Sequence, residues 1–242
     1  MTKRQHHGFT IIETMLAVAF VAILMMAILV LTITAGKMYV KGNTNQTINQ
    51  AGRDFSDTVR RDFLSAGVGT VSPVISISGG STTAYSGRVC LGTVAYLWNS
   101  ASLINTTTAL ANTARVTMGS GSGTPVTFAR VVNPKQSYCD KDATGKYPMN
   151  IPTGSTGEQV TDLFAGDGRD YALYAMKIQA IASSGDSGLY RITYTLGTNE
   201  KDTTQQSAEG YTQCRPSNDA SANFTYCAVE DFDMIVRVGG AQ

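Results

Sequence analysis

Charge is scarce in this chain. Only 15% of its residues are Asp, Glu, Lys or Arg, and 19 basic against 18 acidic side chains leave a formal net charge of +1. That balance sets up no field able to recruit nucleic acid or an acidic surface on charge alone, so any partner is chosen by shape or local chemistry. Histidine is rarer still: His6 and His7 stand together near the amino terminus, far in sequence from every cysteine. With no Cys-x-x-Cys pair, zinc-ligand spacing is missing. No Ser-His-Asp or Cys-His set exists for nucleophilic catalysis either. The expectation is a chain that is not an enzyme and needs no metal or cofactor.

The Lys/Glu-rich helical surface of many cytosolic proteins is also lacking, whereas Gly (24 residues), Ser, Thr and Asn are plentiful, a composition of loops and strands. The 242 residues suffice for one large domain, or a smaller domain on a long helical stalk. All four cysteines (Cys90, Cys139, Cys214, Cys227) lie in the downstream two-thirds, which fits export to an oxidising compartment. Three pairings are possible, with four buried thiols as the alternative. Sequence proximity favours Cys214 with Cys227, leaving Cys90 with Cys139; by chain entropy the short loop is worth roughly 3 kcal/mol and the longer one roughly 4.

The strongest signal lies in the first forty residues. Lys3, Arg4, His6 and His7 precede an apolar run from Phe9 to Gly36 that carries one charge, Glu13. From Thr14 to Gly36 no charge occurs. At about 1.5 Å per residue this stretch spans about 34 Å, enough to cross a hydrocarbon core of about 30 Å. The leading positive charges put the amino terminus in the cytoplasm and the remainder outside, although Lys37 and Lys41 weaken the contrast. A secretory signal places its small-residue cleavage site after the apolar stretch. Here the small residue comes before it.

The hexapeptide Gly8-Phe9-Thr10-Ile11-Ile12-Glu13, leading directly into the apolar run, resembles the cleavage and methylation signal of type IV prepilins and pseudopilins. The resemblance implies that a membrane prepilin peptidase cuts after Gly8 and N-methylates the new terminus of Phe9. Glu13 can be argued independently. A carboxylate in an apolar helix costs roughly 2.5 to 3.5 kcal/mol on insertion scales, so it needs compensation. In a bundle of staggered helices the free amine of a neighbour's Phe9 supplies it and fixes the register, because a misplaced subunit leaves both charges buried alone. Thr10 adds a hydroxyl near the same place. The plainer alternative is a simple membrane anchor whose Glu13 snorkels to the interface. Many major pilins carry Gly and Pro partway along this helix; here Ala22 and Val30 occupy those places, which implies an unbroken helix and favours a minor subunit or pseudopilin.

From Lys37 to Ala66 the pattern becomes amphipathic, with Ile48, Phe55, Val59, Phe63 and Ala66 on one stripe and Arg53, Asp54, Asp57, Arg60, Arg61 and Asp62 between them. Asp57 and Arg61 have the favourable i, i+4 order. Gly42 and Gly52 weaken the helix, Gly67 and Gly69 end it, and Pro73 prevents its renewal. The ending Arg60-Arg61-Asp62-Phe63-Leu64-Ser65-Ala66-Gly67 resembles that of PilW-like minor pilins and J-type pseudopilins, as does Val229 to Val238. Beyond it, Val74–Ser78, Val89–Trp98, Arg115–Met118, Val126–Val132, Tyr171–Ala182, Leu189–Leu196 and Phe224–Val238 read as strands. Tyr171–Ala182 and Leu189–Leu196 form the best hairpin, with Tyr190, Ile192, Tyr194 and Leu196 on one face. Asn99–Ala114, Gly119–Thr124 and Lys135–Gly166 read as loops.

The expected architecture is α+β: leader 1–8, membrane and polymerisation helix 9–36, amphipathic continuation 37–69, and an extracytoplasmic β-rich domain 70–242 whose antiparallel sheet covers the second half of the helix, as in the type IV pilin fold. The expected function is a structural subunit of a type IV pilus or related filament, inner-membrane single-pass before assembly and at the cell surface after it. Its partners would be other pilin subunits, the peptidase, the inner-membrane assembly platform and the membrane. The rivals are a type II secretion pseudopilin, a major pilin, and a tip adhesin or DNA receptor using Arg130, Lys135, Lys141 and Lys146 with Tyr138 and Tyr147. A calcium site at Asp162 and Asp167-Gly168-Arg169-Asp170 fails the EF-hand spacing, and a turn is the simpler reading.

Overall fold

The computed structural model describes residues 10–67, 69–119, 123–154, 157–166, 169–181, 188–199, 204–206, 212–216, 218–219 and 223–239. One helix, α1 (Ile11–Ser65), takes up the first part. Its 55 residues make a rod of about 82 Å. Thr10 caps it, its Oγ1 accepting the Glu13 N–H at 3.2 Å, and Ala66 closes it by donating its N–H to the Asp62 carbonyl at 3.0 Å. Neither Gly42 nor Gly52 interrupts it. The stripe Ile48, Phe55, Val59, Phe63 and Ala66 is buried, whereas no described residue before Thr44 is. Half of the helix is therefore core and half is bare.

Two sheets form around the buried half. The first runs in the order β1 (Ile75–Ser78), β2 (Tyr85–Cys90), β3 (Val94–Asn99), β6 (Phe128–Val132), β8 (Gln159–Asp162), all antiparallel. Between β3 and β6 the chain makes two short helices, α2 (Ala101–Asn105) and α3 (Ala109–Ala114), and strands β4 (Thr117–Met118) and β5 (Thr124–Pro125). β7 (Asn150–Ile151) joins β4 in parallel. The second sheet orders β14 (Val229–Arg237), β11 (Leu189–Thr198), β10 (Arg169–Ala180) and β9 (Ala165–Gly166). A small ribbon, β12 (Thr204–Gln206) with β13 (Thr212–Cys214), completes the domain.

The core joins all three layers. Phe55 of the helix meets Phe128 edge-on at 4.7 Å, stacks on Phe164 at 5.0 Å and touches Tyr194 at 4.7 Å. Ile192, Tyr194 and Leu196 face this core and Arg191 faces water, which is the alternation expected of β11. Gly52 is a point of contact: a Cβ there would lie 2.1 Å from Phe232 Cζ, and Tyr194 donates its hydroxyl hydrogen to the Gly52 carbonyl at 2.6 Å.

Several expectations fail locally. Val89–Trp98 is two strands, because the chain reverses at Leu91–Thr93: Leu91 N–H bonds the Val94 carbonyl at 2.7 Å and Gly92 takes φ +76. Val89, Leu91, Val94 and Tyr96 are apolar through the reversal, so periodicity hid it. Asn99–Ala114 holds α2 and α3, capped by the side chains of Ser100 and Thr108. Lys135–Gly166 holds β7, β8 and β9. The last strand starts at Val229, five residues after Phe224. Arg61 donates its Nε–H to the Asp57 backbone carbonyl at 3.3 Å, so the expected i, i+4 pair instead ends on the main chain.

Candidate assembly helix and its supports

Gly8 and Phe9 lie outside the described residues, as do His6, His7, Asp167 and Gly168. Thr10 and Glu13 come together at the helix start. Thr10 is the N-cap and Glu13 the third helical residue, the positions of a capping box, and Glu13 sits where the helix dipole favours a carboxylate. Both are exposed.

From Ile11 onward the helix is apolar on every side, and its side chains are bare: Ile11 is 80% exposed, Phe20 66% and Leu31 69%. It is long and apolar enough to cross a membrane. A helix apolar all round is normally buried, so this surface requires lipid or other protein. The few hydroxyls within it need neither. Thr14, Thr32 and Thr34 donate to the carbonyls of Ile11, Ile28 and Val30 at 2.9, 2.8 and 2.9 Å.

Three polar contacts, buried or partly buried, hold the domain to the helix and its long loop in place. Asp62 was expected among the solvated residues but is 7% exposed. Its carboxylate takes Arg130 Nε at 2.6 Å and Nη2 at 2.7 Å, a two-point contact, and also accepts the Tyr96 hydroxyl. Burial, followed by the hydrogen bond to Asp62, pushes the Tyr96 phenol far up; the bond to Asp62 raises Arg130. Asp62 lies three residues past Val59 and four before Ala66, on the apolar stripe. That placement was the signal that it is buried.

Arg88, on β2, is fully buried. Its Nη1 donates to the carbonyls of Tyr138 and Pro148 at 2.9 and 2.8 Å, and its guanidinium lies 5.2 Å from the Tyr147 ring centroid. Burial holds it down at about 10. On the same strand Cys90 pairs with Cys139 across Cα atoms 6.2 Å apart. β2 thus ties the 135–150 segment to the first sheet twice. Nothing in the sequence marked Arg88, since a lone arginine in a strand reads as a solvent-facing residue.

Lys41 makes the third contact. Its ammonium donates to the Cys227 carbonyl and lies 4.6 Å from the Phe224 ring centroid. Cys214 pairs with Cys227, Cα atoms 5.8 Å apart. Burial lowers the Lys41 pKa, opposed by the charge of Glu230.

Three members of the set considered for DNA have partners within the protein. Arg130 is committed to Asp62, Tyr138 is buried with its hydroxyl 3.2 Å from Glu158, and Lys141 lies over Tyr147. The Asp162 carboxylate accepts the backbone N–H groups of Thr127, Phe128 and Phe164 at 2.8 to 3.2 Å. Comparison with family models, curated proteins and solved structures found no match.

Proposed function

We propose that this chain is a structural subunit of a type IV pilus or related filament, most like a minor pilin, cut after Gly8 and N-methylated on Phe9. The observation that carries this reading is the division of one unbroken helix. Its second half is core to an α+β domain, while its first half is bare, apolar on all sides, of membrane length, and interrupted by charge only at Glu13. A surface of that kind is stable in lipid or packed among equivalent helices. Assembly exchanges one for the other. In the packed state Glu13 of one subunit neutralises the Phe9 amine of its neighbour, so only one axial offset leaves no charge alone.

The test is intact mass and amino-terminal sequencing of the chain recovered from sheared surface filaments. A mature chain starting at methylated Phe9 is expected; one starting at Met1 overturns the reading, and absence from filaments of a correctly processed chain leaves only the pseudopilin form of it.

A further inference from the structure

We propose that Phe224 and Tyr226, beside the Cys214–Cys227 disulfide, form a lipid-facing surface that lies in the headgroup layer on the outer side of the membrane span and sets the height of the domain above the bilayer. The inference rests on the reading of the first half of α1 as a membrane span.

The heights agree. The polar layer outside a hydrocarbon core is about 5 to 7.5 Å thick on each side, taking about 30 Å for the core and about 40 to 45 Å for the whole. The uncharged run ends at Gly36. Lys41 lies a little over one turn further, about 7.5 Å along the axis, and helical side chains lean back toward the amino terminus. Its ammonium therefore returns into that layer, where it holds the Cys227 carbonyl and the Phe224 ring. Phe224 and Cys227 are thus fixed at headgroup height by contacts to the span's own helix.

The chemistry agrees as well. Phe224 is 40% exposed and Tyr226 48%, partly open rings and, for Tyr226, a polar tip. Such side chains collect at membrane–water interfaces. The nearby charges Arg215 and Asp219 pair with each other at 3.4 Å, so each offsets the other. Lys37 and Met38 lie beneath Lys41 on the same helix face, and Tyr39, 76% exposed, points to the opposite side. Aromatic rings thus flank the end of the span on both sides.

The test uses the full chain at high dilution in vesicles of phosphatidylcholine and phosphatidylglycerol, with single added tryptophans quenched by lipids that carry a nitroxide near the headgroup or deep in the acyl chain. Native Trp98, 1% exposed, is the constant background. Leu24→Trp should be quenched by the deep label, which reports the span itself. Phe224→Trp keeps an aromatic ring over Lys41; its emission should shift to shorter wavelength and be quenched by the shallow label alone. Leu110→Trp, at a position 56% exposed on α3, should show neither effect. Quenching at Leu24→Trp without quenching at Phe224→Trp overturns the lipid surface and leaves the span standing. Equal quenching at Leu110→Trp also overturns it, as does quenching at Phe224→Trp that vanishes on dilution, which would give the face to a second copy of the chain. No quenching at Leu24→Trp removes the span and the proposal together.

Discussion

The two glycines inside α1 should answer oppositely to the same substitution. Gly42→Ala adds a methyl where no heavy atom lies within 4 Å, so only the backbone effect remains, a gain of about 0.5 to 1 kcal/mol. Gly52→Ala earns the same gain but places its Cβ 2.1, 2.4 and 2.6 Å from three atoms of the Phe232 ring. That ring cannot simply retreat. It stacks on Tyr194 at 4.8 Å, and Tyr194 is held by its hydrogen bond to the Gly52 carbonyl. Overpacking costs about 1 to 3 kcal/mol, and loss of the tyrosine bond about 1 more, so Gly52→Ala should destabilise by about 1 to 3 kcal/mol net of the helix gain. Urea unfolding of the full chain in detergent, followed by the fluorescence of the single tryptophan, Trp98, reads both. The Gly42→Ala midpoint should rise and that of Gly52→Ala fall. Midpoints that move together would refute the claimed approach of β14 to the helix.

Glu13→Ala should leave the urea midpoint unchanged, since the side chain is exposed outside the core, yet abolish recovery in sheared filaments; normal incorporation would refute the register role. Asp62→Asn should cost about 3 kcal/mol in the same titration, because Arg130 loses its anionic partner in a mostly buried setting, and a loss under about 1 would refute that account. Replacing Cys90 and Cys139 together with serine should cost about 4 kcal/mol against about 3 for Cys214 and Cys227, from loops of 49 and 13 residues. Burial pushes the phenols of Tyr138 and Tyr194 up to about 12. The unfolded chain therefore gives up these protons near the ordinary value while the folded chain keeps them, so stability present below pH 10 should be lost between about pH 10 and 12. Tyr138→Phe should flatten that fall in midpoint measured against pH.

The helix and its buried stripe were legible because apolar spacing at Ile48, Phe55, Val59 and Phe63 reports burial directly, and the hairpin of β10 and β11 because the alternation of β11 is clean, although a bulge between Leu173 and Ala175 breaks that of β10. The reversal at Gly92 was not, since apolar residues on both sides of it serve the same core. Nor were Arg88 and Lys41, whose partners are backbone carbonyls distant in sequence: Tyr138 and Pro148 for the one, Cys227 for the other. Side-chain type foretells a charged partner more readily than a main-chain one. The capping spacing of Thr10 and Glu13 was open to reading but stays hidden when Glu13 is read as a register charge alone, and what the bare surface packs against is written in no single residue.

The threonines of the bare half carry one last consequence. Because Thr14, Thr32 and Thr34 already spend their hydroxyl hydrogens on their own helix, moving this segment from one apolar surrounding to another breaks no hydrogen bond of theirs and requires none to be remade. The segment's hydroxyls are thus indifferent to position along the axis, and the one charge among residues 11–36 is the carboxylate of Glu13.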